Sequence, residues 1–173
     1  MRLRSASASD IAAIAALHVD SWRRNYRGAL SDAFLDGPVE EDRVSLWSGR
    51  LAVPHDGAST TVAVGDDDAL VGLVHTIFDV DERDGALLEN LHVVHELKRS
   101  GIGTQLMAAA AAASLAHAPN LGIYLTVLEQ NTPAQAFYEA RGGTRVGAEP
   151  WYAPDGGTTT VFRYAWPDPA LLL

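Results

Sequence analysis

The stretch Leu91-His92-Val93-Val94-His95-Glu96-Leu97-Lys98-Arg99-Ser100-Gly101-Ile102-Gly103-Thr104 constrains the fold more than any other part of the chain. A strand-like run breaks into a basic, glycine-bearing turn, and the turn opens a helix that contains six consecutive alanines, Ala108 to Ala113. Alanine has the highest helix propensity, so the helix is expected from Gly101 to His117. Its start is built for an anion. Gly101 and Gly103 remove side chains where backbone must come close to a ligand, and the first turn offers unpaired N–H groups and the positive end of the helix dipole. Lys98, the only lysine in the sequence, and Arg99 add full charges beside it. Two other phosphate patterns are excluded: Leu106 replaces the third glycine of G-x-G-x-x-G, and G-x-x-x-x-G-K-[ST] does not occur.

A second informative segment runs from Leu121 to Gly143. Leu121 to Leu128 is a β-rich run, and a short helix follows. Thr132 and Gln135 have capping-box spacing, Pro133 suits the first helical position, and Gly142 suits the residue past the end.

The rest of the chain alternates in the same way. Leu3 to Ser5 reads as a strand, and Ser7 or Ser9 caps a helix whose apolar face includes Ile11, Ile14, Ala15 and Trp22, with His18 packed on that face. Asp36-Gly37-Pro38 breaks the chain before a helix over Glu40 to Leu51. Thr60 to Val64 and Ala69 to Phe78 are strands around an acidic turn, and Asp84-Gly85 leads into a fourth strand, Ala86 to Val94. Because a helix joins the fourth strand to the fifth, Leu121 to Leu128, the two are expected to run parallel. Gly143 to Glu149 and Thr158 to Trp166 close the chain as a hairpin around Ala153-Pro154-Asp155-Gly156-Gly157.

These residues resemble the GNAT superfamily of acyl-CoA-dependent N-acetyltransferases. The [QR]-x-x-G-x-[GA] segment of that family corresponds to Lys98-Arg99-Ser100-Gly101-Ile102-Gly103, and its N-x-x-A-x-x-[FL]-Y-x-x-x-G-[FG] segment to Asn131, Ala134, Phe137, Tyr138, Gly142 and Gly143. His18-Val19-Asp20-Ser21-Trp22 and Tyr26-Arg27-Gly28 look like the first-helix region of many bacterial members. The resemblance implies a mixed α/β fold: a seven-stranded, mostly antiparallel sheet with helices on both faces, its fourth and fifth strands parallel and splayed. It also implies acetyl-CoA as cosubstrate, an amine acceptor, and cofactor contacts from Leu91, His92, Val93, Lys98, Arg99, Ser100, Gly101, Ile102, Gly103, Thr104, Asn131 and Tyr138.

Composition agrees with a single N-acetyltransferase domain over residues 1–173, since a chain of this length with 47% apolar residues can bury one substantial core. The absence of cysteine excludes disulfides, thiol nucleophiles and thiolate zinc sites. No apolar leader and no run of about 18 apolar residues is present, so neither export nor a membrane partner is expected, and the cytoplasm fits. The net charge of −9, with scattered arginines, argues against nucleic acid. Acidic clusters at Asp66 to Asp68 and Asp79 to Asp84 either draw a cationic amine or are solvated loop charge. His92 and His95 lack the convergent spacing and third ligand of a metal site, so no metal is expected. The oligomeric state stays open, a homodimer included.

The chemistry implied is attack of an amine on a thioester. A backbone N–H near Val93 would stabilise the oxyanion, and Tyr138 would protonate the leaving thiolate. A primary amine of pKa about 10 must lose a proton first. Some relatives use a glutamate on the fifth strand for this, but Thr126 stands there. Glu89 is the first replacement, His92 the second and a water chain the third; strict strand alternation places Glu89 and His92 on opposite faces. Trp22, Tyr26, Trp151 and Tyr152 are either pocket walls or core. A noncatalytic acetyl-CoA-binding module and an O-acyl or longer-acyl transferase remain as alternatives at this stage.

Overall fold

The computed structural model describes residues 1–53 and 55–173. Twelve elements follow in chain order: β1 (Arg2–Ser5), α1 (Ile11–Asn25), α2 (Asp32–Leu35), α3 (Val39–Leu51), β2 (Ala58–Val64), β3 (Leu70–Asp81), β4 (Gly85–Val93), α4 (Ile102–His117), β5 (Ile123–Leu128), α5 (Thr132–Glu139), β6 (Thr144–Tyr152) and β7 (Thr158–Trp166). The strands form one seven-stranded sheet in the order β1-β2-β3-β4-β5-β7-β6. Its neighbours are antiparallel except β4 and β5, which are parallel as expected from the intervening helix. Among the described residues, no helix is long and apolar enough to cross a membrane.

Each face of the sheet has its own core. On one face α4 buries Ile102, Leu106, Met107, Ala110 and Ala111 against Val74, Leu88, Ile123 and Leu125 of the sheet. The alanines let this helix lie close, and Gly72 of β3 leaves room for it: a Cβ there would lie 2.9 Å from Leu106 Cδ1. On the other face α1 and α3 pack Ile14, Ala15, Leu17 and Trp47 against Val62, Val64 and Leu73. At about 25 cal/mol per Å² of apolar area removed from water, such layers supply the main driving force of folding.

Several local expectations need correction. Asn131 caps α5, its side chain accepting the Ala134 N–H at 3.4 Å; Thr132 is the first helical residue and Pro133 the second. Gln135 does not complete a capping box; it donates to the carbonyls of Leu128 and Glu129 at 3.0 and 2.8 Å. The short helix α2, capped by Ser31, was not expected, because four residues carry no periodic signal. The most consequential correction lies in β4. His75 pairs with Asn90 but Thr76 with Leu88, leaving Glu89 as the extra residue of a bulge. A bulge resets the alternation of faces. Glu89 and Asn90 therefore both reach Arg50 of α3, while His92 reaches Ser21 of α1, so Glu89 and His92 share the α1–α3 side.

Candidate active site

β4 and β5 pair only at Ala86–Ile123 and Leu87–Tyr124. Two glycines bring the strands together at this closed end. A Cβ on Gly85, which has φ +83°, would sit 2.1 Å from the Gly122 carbonyl oxygen, and one on Gly122 would sit 2.8 Å from the Trp166 carbonyl oxygen. Beyond Leu87 the strands diverge: β4 continues to pair with β3 and β5 with β7. The Val94 N–H donates to Val71 O at 3.0 Å, and His92 is in register with Leu73. Successive residues of an antiparallel ladder turn their backbone groups to opposite edges. The N–H and C=O of Leu91 and Val93 consequently face the wedge between β4 and β5, whereas the His92 backbone is committed to β3.

The wedge opens toward the start of α4. Gly101 is the N-cap of this helix with φ +88°, a left-handed conformation that L side chains rarely adopt, and a Cβ there would meet nothing within 4 Å. Arg99 is also left-handed, at φ +67°. Lys98, Arg99, Ser100 and Gly101 are exposed, Gly103 and Thr104 half-buried, and Ile102 is buried in the α4-side core. The Ser100 hydroxyl donates to Leu97 O at 2.6 Å, tying the turn to the residues before it. Gly103 has a packing role as well, since its Cβ would lie 3.3 Å from Phe137 Cζ of α5. The arrangement suits a long anionic ligand, with unpaired strand edges for an amide-bearing arm and an exposed helix start with two cationic neighbours for phosphates.

Tyr138 lies on α5 within 6.3 Å, ring to ring, of Phe137, Tyr164 and Trp166. Burial, and after it the nearby Tyr26, raise its pKa, so its hydroxyl keeps the proton at neutral pH. Glu89 pairs with Arg50, whose other terminal nitrogen donates to Asn90 Oδ1 at 2.8 Å. The Glu89 side chain is 34% exposed and that of Arg50 17%. His92 is buried, with Nδ1 2.9 Å from Ser21 Oγ and its ring 4.5 Å from that of His18. Trp47 Nε1 donates to His18 Nδ1 at 3.1 Å. Among the described residues, Nε2 of both histidines is buried without a hydrogen-bond partner. Burial holds His92 down to about 3 and pushes His18 well below the usual range, so both are neutral.

The structure thus sets Leu91 and Val93 along the unpaired edge and Gly101 and Gly103 at the start of α4, places Asn131 at the N-cap of α5 and Tyr138 within that helix, and sets Glu89 and His92 on the α1–α3 side. His95 is exposed on the turn after β4, apart from His92. Trp22 and Trp151 lie against Tyr26, but Tyr152 is 77% exposed and walls nothing. Ser21, Arg43, Arg50 and Gln130 were not singled out from sequence. They come from distant segments, and no local spacing marks them.

The fold and this wedge define the acyl-CoA-dependent acyltransferase class. The chain belongs to the Acetyltransferase (GNAT) family, whose model matches residues 11–143. It is 28% identical to an uncharacterized N-acetyltransferase of Bacillus subtilis, YuaI, over 96% of this chain and 92% of that one. It is 27% identical to a probable N-acetyltransferase of Mycobacterium tuberculosis over 82% of this chain and 78% of that one. The crystal structure of the PaiA N-acetyltransferase of Thermoplasma acidophilum in complex with coenzyme A has the same fold, with a TM-score of 0.66 at 17% identity and coverage of 95% and 98%. The chain is accordingly an enzyme that transfers an acetyl group to an amino group.

Proposed function

We propose that residues 1–173 act as one domain that acetylates a small amine or a peptide or protein amino group by direct attack of that amine on acetyl-CoA, without a covalent enzyme intermediate. The carrying observation is the wedge, in which the backbone groups of Leu91 and Val93 face an unpaired strand edge ahead of the α4 N-terminus. Leu91 and Val93 hold the amide-bearing arm as a missing strand would, and Asn131 holds it from the opposite side. Gly101 to Thr104, with Lys98, Arg99 and Ser100, receive the phosphates. The Val93 N–H stabilises the carbonyl oxygen as negative charge develops on it. Tyr138, which keeps its proton, donates to the leaving sulfur.

Two groups competed for the acceptor's proton. His92, held at about 3, is too weak a base to take it. Glu89 is a partly exposed carboxylate on the same side of the wedge, paired with Arg50, so it is the proposed acceptor through water. No metal has a role in this scheme, and the proposed compartment is the cytoplasm. Isothermal titration of acetyl-CoA and CoA tests the reading. Micromolar binding, followed by CoA release with members of an amine panel, is the expected result; no binding by folded protein would overturn it.

A further inference from the structure

The sheet is built of two blocks. β1 to β4 pair in sequence with one another, and β5, β7 and β6 do the same, but the blocks meet only at Ala86–Ile123 and Leu87–Tyr124. This short seam is the fulcrum of the wedge. At about 3.3 Å per residue, β4 runs about 20 Å from Leu87 to Val93, so a rotation of about 3° at the seam moves the Val93 N–H by about 1 Å. A displacement of that size costs about a hundredfold in a reaction that depends on positioning. On one face the α4 core spans both blocks, holding Leu88 of β4 together with Ile123 and Leu125 of β5. On the opposite face an arginine crosses from one block to the other.

Arg163 stands on β7 in register with Thr126 of β5. Its neighbours Phe162 and Tyr164 belong to the α4-side core, so alternation turns Arg163 to the other face. Instead of extending into solvent, its side chain lies back across β5, with the guanidinium carbon 3.8 Å from the Tyr124 ring centroid. Beyond that ring it reaches the β3–β4 turn. Nη2 donates to Asp81 Oδ2 at 2.7 Å, and Nε lies 3.1 Å from Asp84 Oδ2, close enough to pair electrostatically though not aligned as a hydrogen bond. Asp81 in turn accepts the N–H groups of Arg83 and Asp84, each at 2.9 Å. The turn also presses on the seam itself, since a Cβ on Gly122 would lie 3.1 Å from the Asp84 carbonyl oxygen. The side chains of Arg163 and Asp84 are only 16% and 13% exposed, so solvent screens this pairing less than it would at the surface.

We infer that Arg163 is a positioning residue for acetyl-CoA: it fastens the β3–β4 turn to β5 and β7, and so sets how far β4 and β5 stand apart where the cofactor enters. The inference rests on the acetyl-transfer reading, in which the backbone of Leu91 and Val93 holds the cofactor arm. An arginine suits the task because its planar fork stacks on an aromatic face and still offers donors to two carboxylates. Its contact with Asp81 joins β3 to β7, which are not neighbours in the sheet, and β4 and β5 lie between them.

Amide hydrogen exchange followed by NMR, together with acetyl-CoA titration, tests this on the whole chain. The Ala86 N–H donates across the seam to Gly122 O at 3.2 Å, whereas Val94 N–H to Val71 O and Glu129 N–H to Thr160 O lie within single blocks. In Arg163→Met, Ala86 is expected to exchange about tenfold faster or more while Val94 and Glu129 stay within about twofold, because local opening exposes only the bonds that it breaks. The Kd for acetyl-CoA is expected to rise about tenfold, and saturating acetyl-CoA to restore most of the Ala86 protection. Asp84→Asn, which removes a charge and almost no volume, serves if the first variant does not fold, with the same pattern at about threefold. Equal acceleration of all three amides would show general destabilisation and overturn the fastening, as would an unchanged Ala86 rate. Selective acceleration with unaltered Kd would overturn the link to the cofactor. Failure of the natural protein to bind acetyl-CoA would instead remove the acetyl-transfer reading, and the exchange pattern would still report separately on the seam.

Discussion

The two faces of the sheet build their halves of the site from different materials. On the α4 side the proposed ligand surface is backbone, made from Leu91 and Val93 at an unpaired edge and from a helix start kept open by Gly101. On the α1–α3 face it is side chain, drawn from His18, Ser21, Trp47, Arg50, Glu89 and His92, which come from three separate elements, α1, α3 and β4. A backbone site needs only a glycine spacing and a strand-to-helix junction, whereas a side-chain site needs the whole tertiary structure to bring its parts together. The difference should appear in how each face responds to pH, strain and substitution.

The largest effect expected is acid sensitivity confined to the α1–α3 face. His75 and His92 are held by burial at about 3, and His18 is also lowered. An unfolded histidine titrates near 6.5. Between those values the unfolded chain binds more protons than the folded one, so stability is present above about pH 6.5 and is lost progressively as pH falls toward 3. At pH 5 the loss is about 2 kcal/mol for each of His75 and His92, about 4 kcal/mol together, against a typical total of about 5–15. Urea unfolding at pH 7.5 and pH 5 measures it. An unchanged midpoint would show that these histidines are not held neutral, and the contrast between the faces would lose its electrostatic basis.

Strain probes the other face. Gly101→Val puts a β-branched residue at φ +88°, where about 1–3 kcal/mol of strain is expected to displace the start of α4. Because a Cβ there meets nothing within 4 Å, the core should survive. Acetyl-CoA affinity is expected to fall by about a hundredfold, with far-UV circular dichroism preserved. Retained affinity would mean that the helix start does not bind the cofactor.

This contrast also explains what could be read from the sequence. The seven strands and the parallel β4–β5 pair were legible, and Gly101, Gly103 and the Asn131–Gly143 segment stand at short, fixed spacings, so the proposed cofactor half rests on signals the sequence carries locally. The bulge at Glu89 was not, because it arises from pairing with β3 and nothing in Leu88-Glu89-Asn90 announces it. Arg50 was equally hidden: its partners Glu89 and Asn90 lie on another element, and α3 shows only ordinary helical periodicity. His18 was read correctly as packed because it fell on an apolar helical face; its bond to Trp47 was beyond reach.

Tyr138 joins the two faces, since its hydroxyl is raised by burial and by Tyr26 of the acceptor side. Tyr138→Phe removes one donor and almost no volume. The expected result is a fall in kcat of about a hundredfold, the lower end for a general acid, with the Kd for acetyl-CoA within about threefold. A parallel loss of binding would assign Tyr138 to cofactor contact alone.

The smallest effect expected is at Glu89, because its carboxylate is engaged with Arg50 and reaches the acceptor only through water. With an amine of pKa about 10, only about one molecule in a thousand is free base at pH 7, so a proton acceptor matters most there. Glu89→Gln is expected to lower kcat/KM about fivefold at pH 7, and the deficit should shrink to less than about twofold at pH 9.5, as free amine supplies its own lone pair. The sign follows from the acceptor: raising the pH replaces the function that the variant lost. If the deficit stayed constant across that range, Glu89 would be acting by holding Arg50 and Asn90 in place, and both faces of the wedge would then be positioning surfaces with the proton leaving through water.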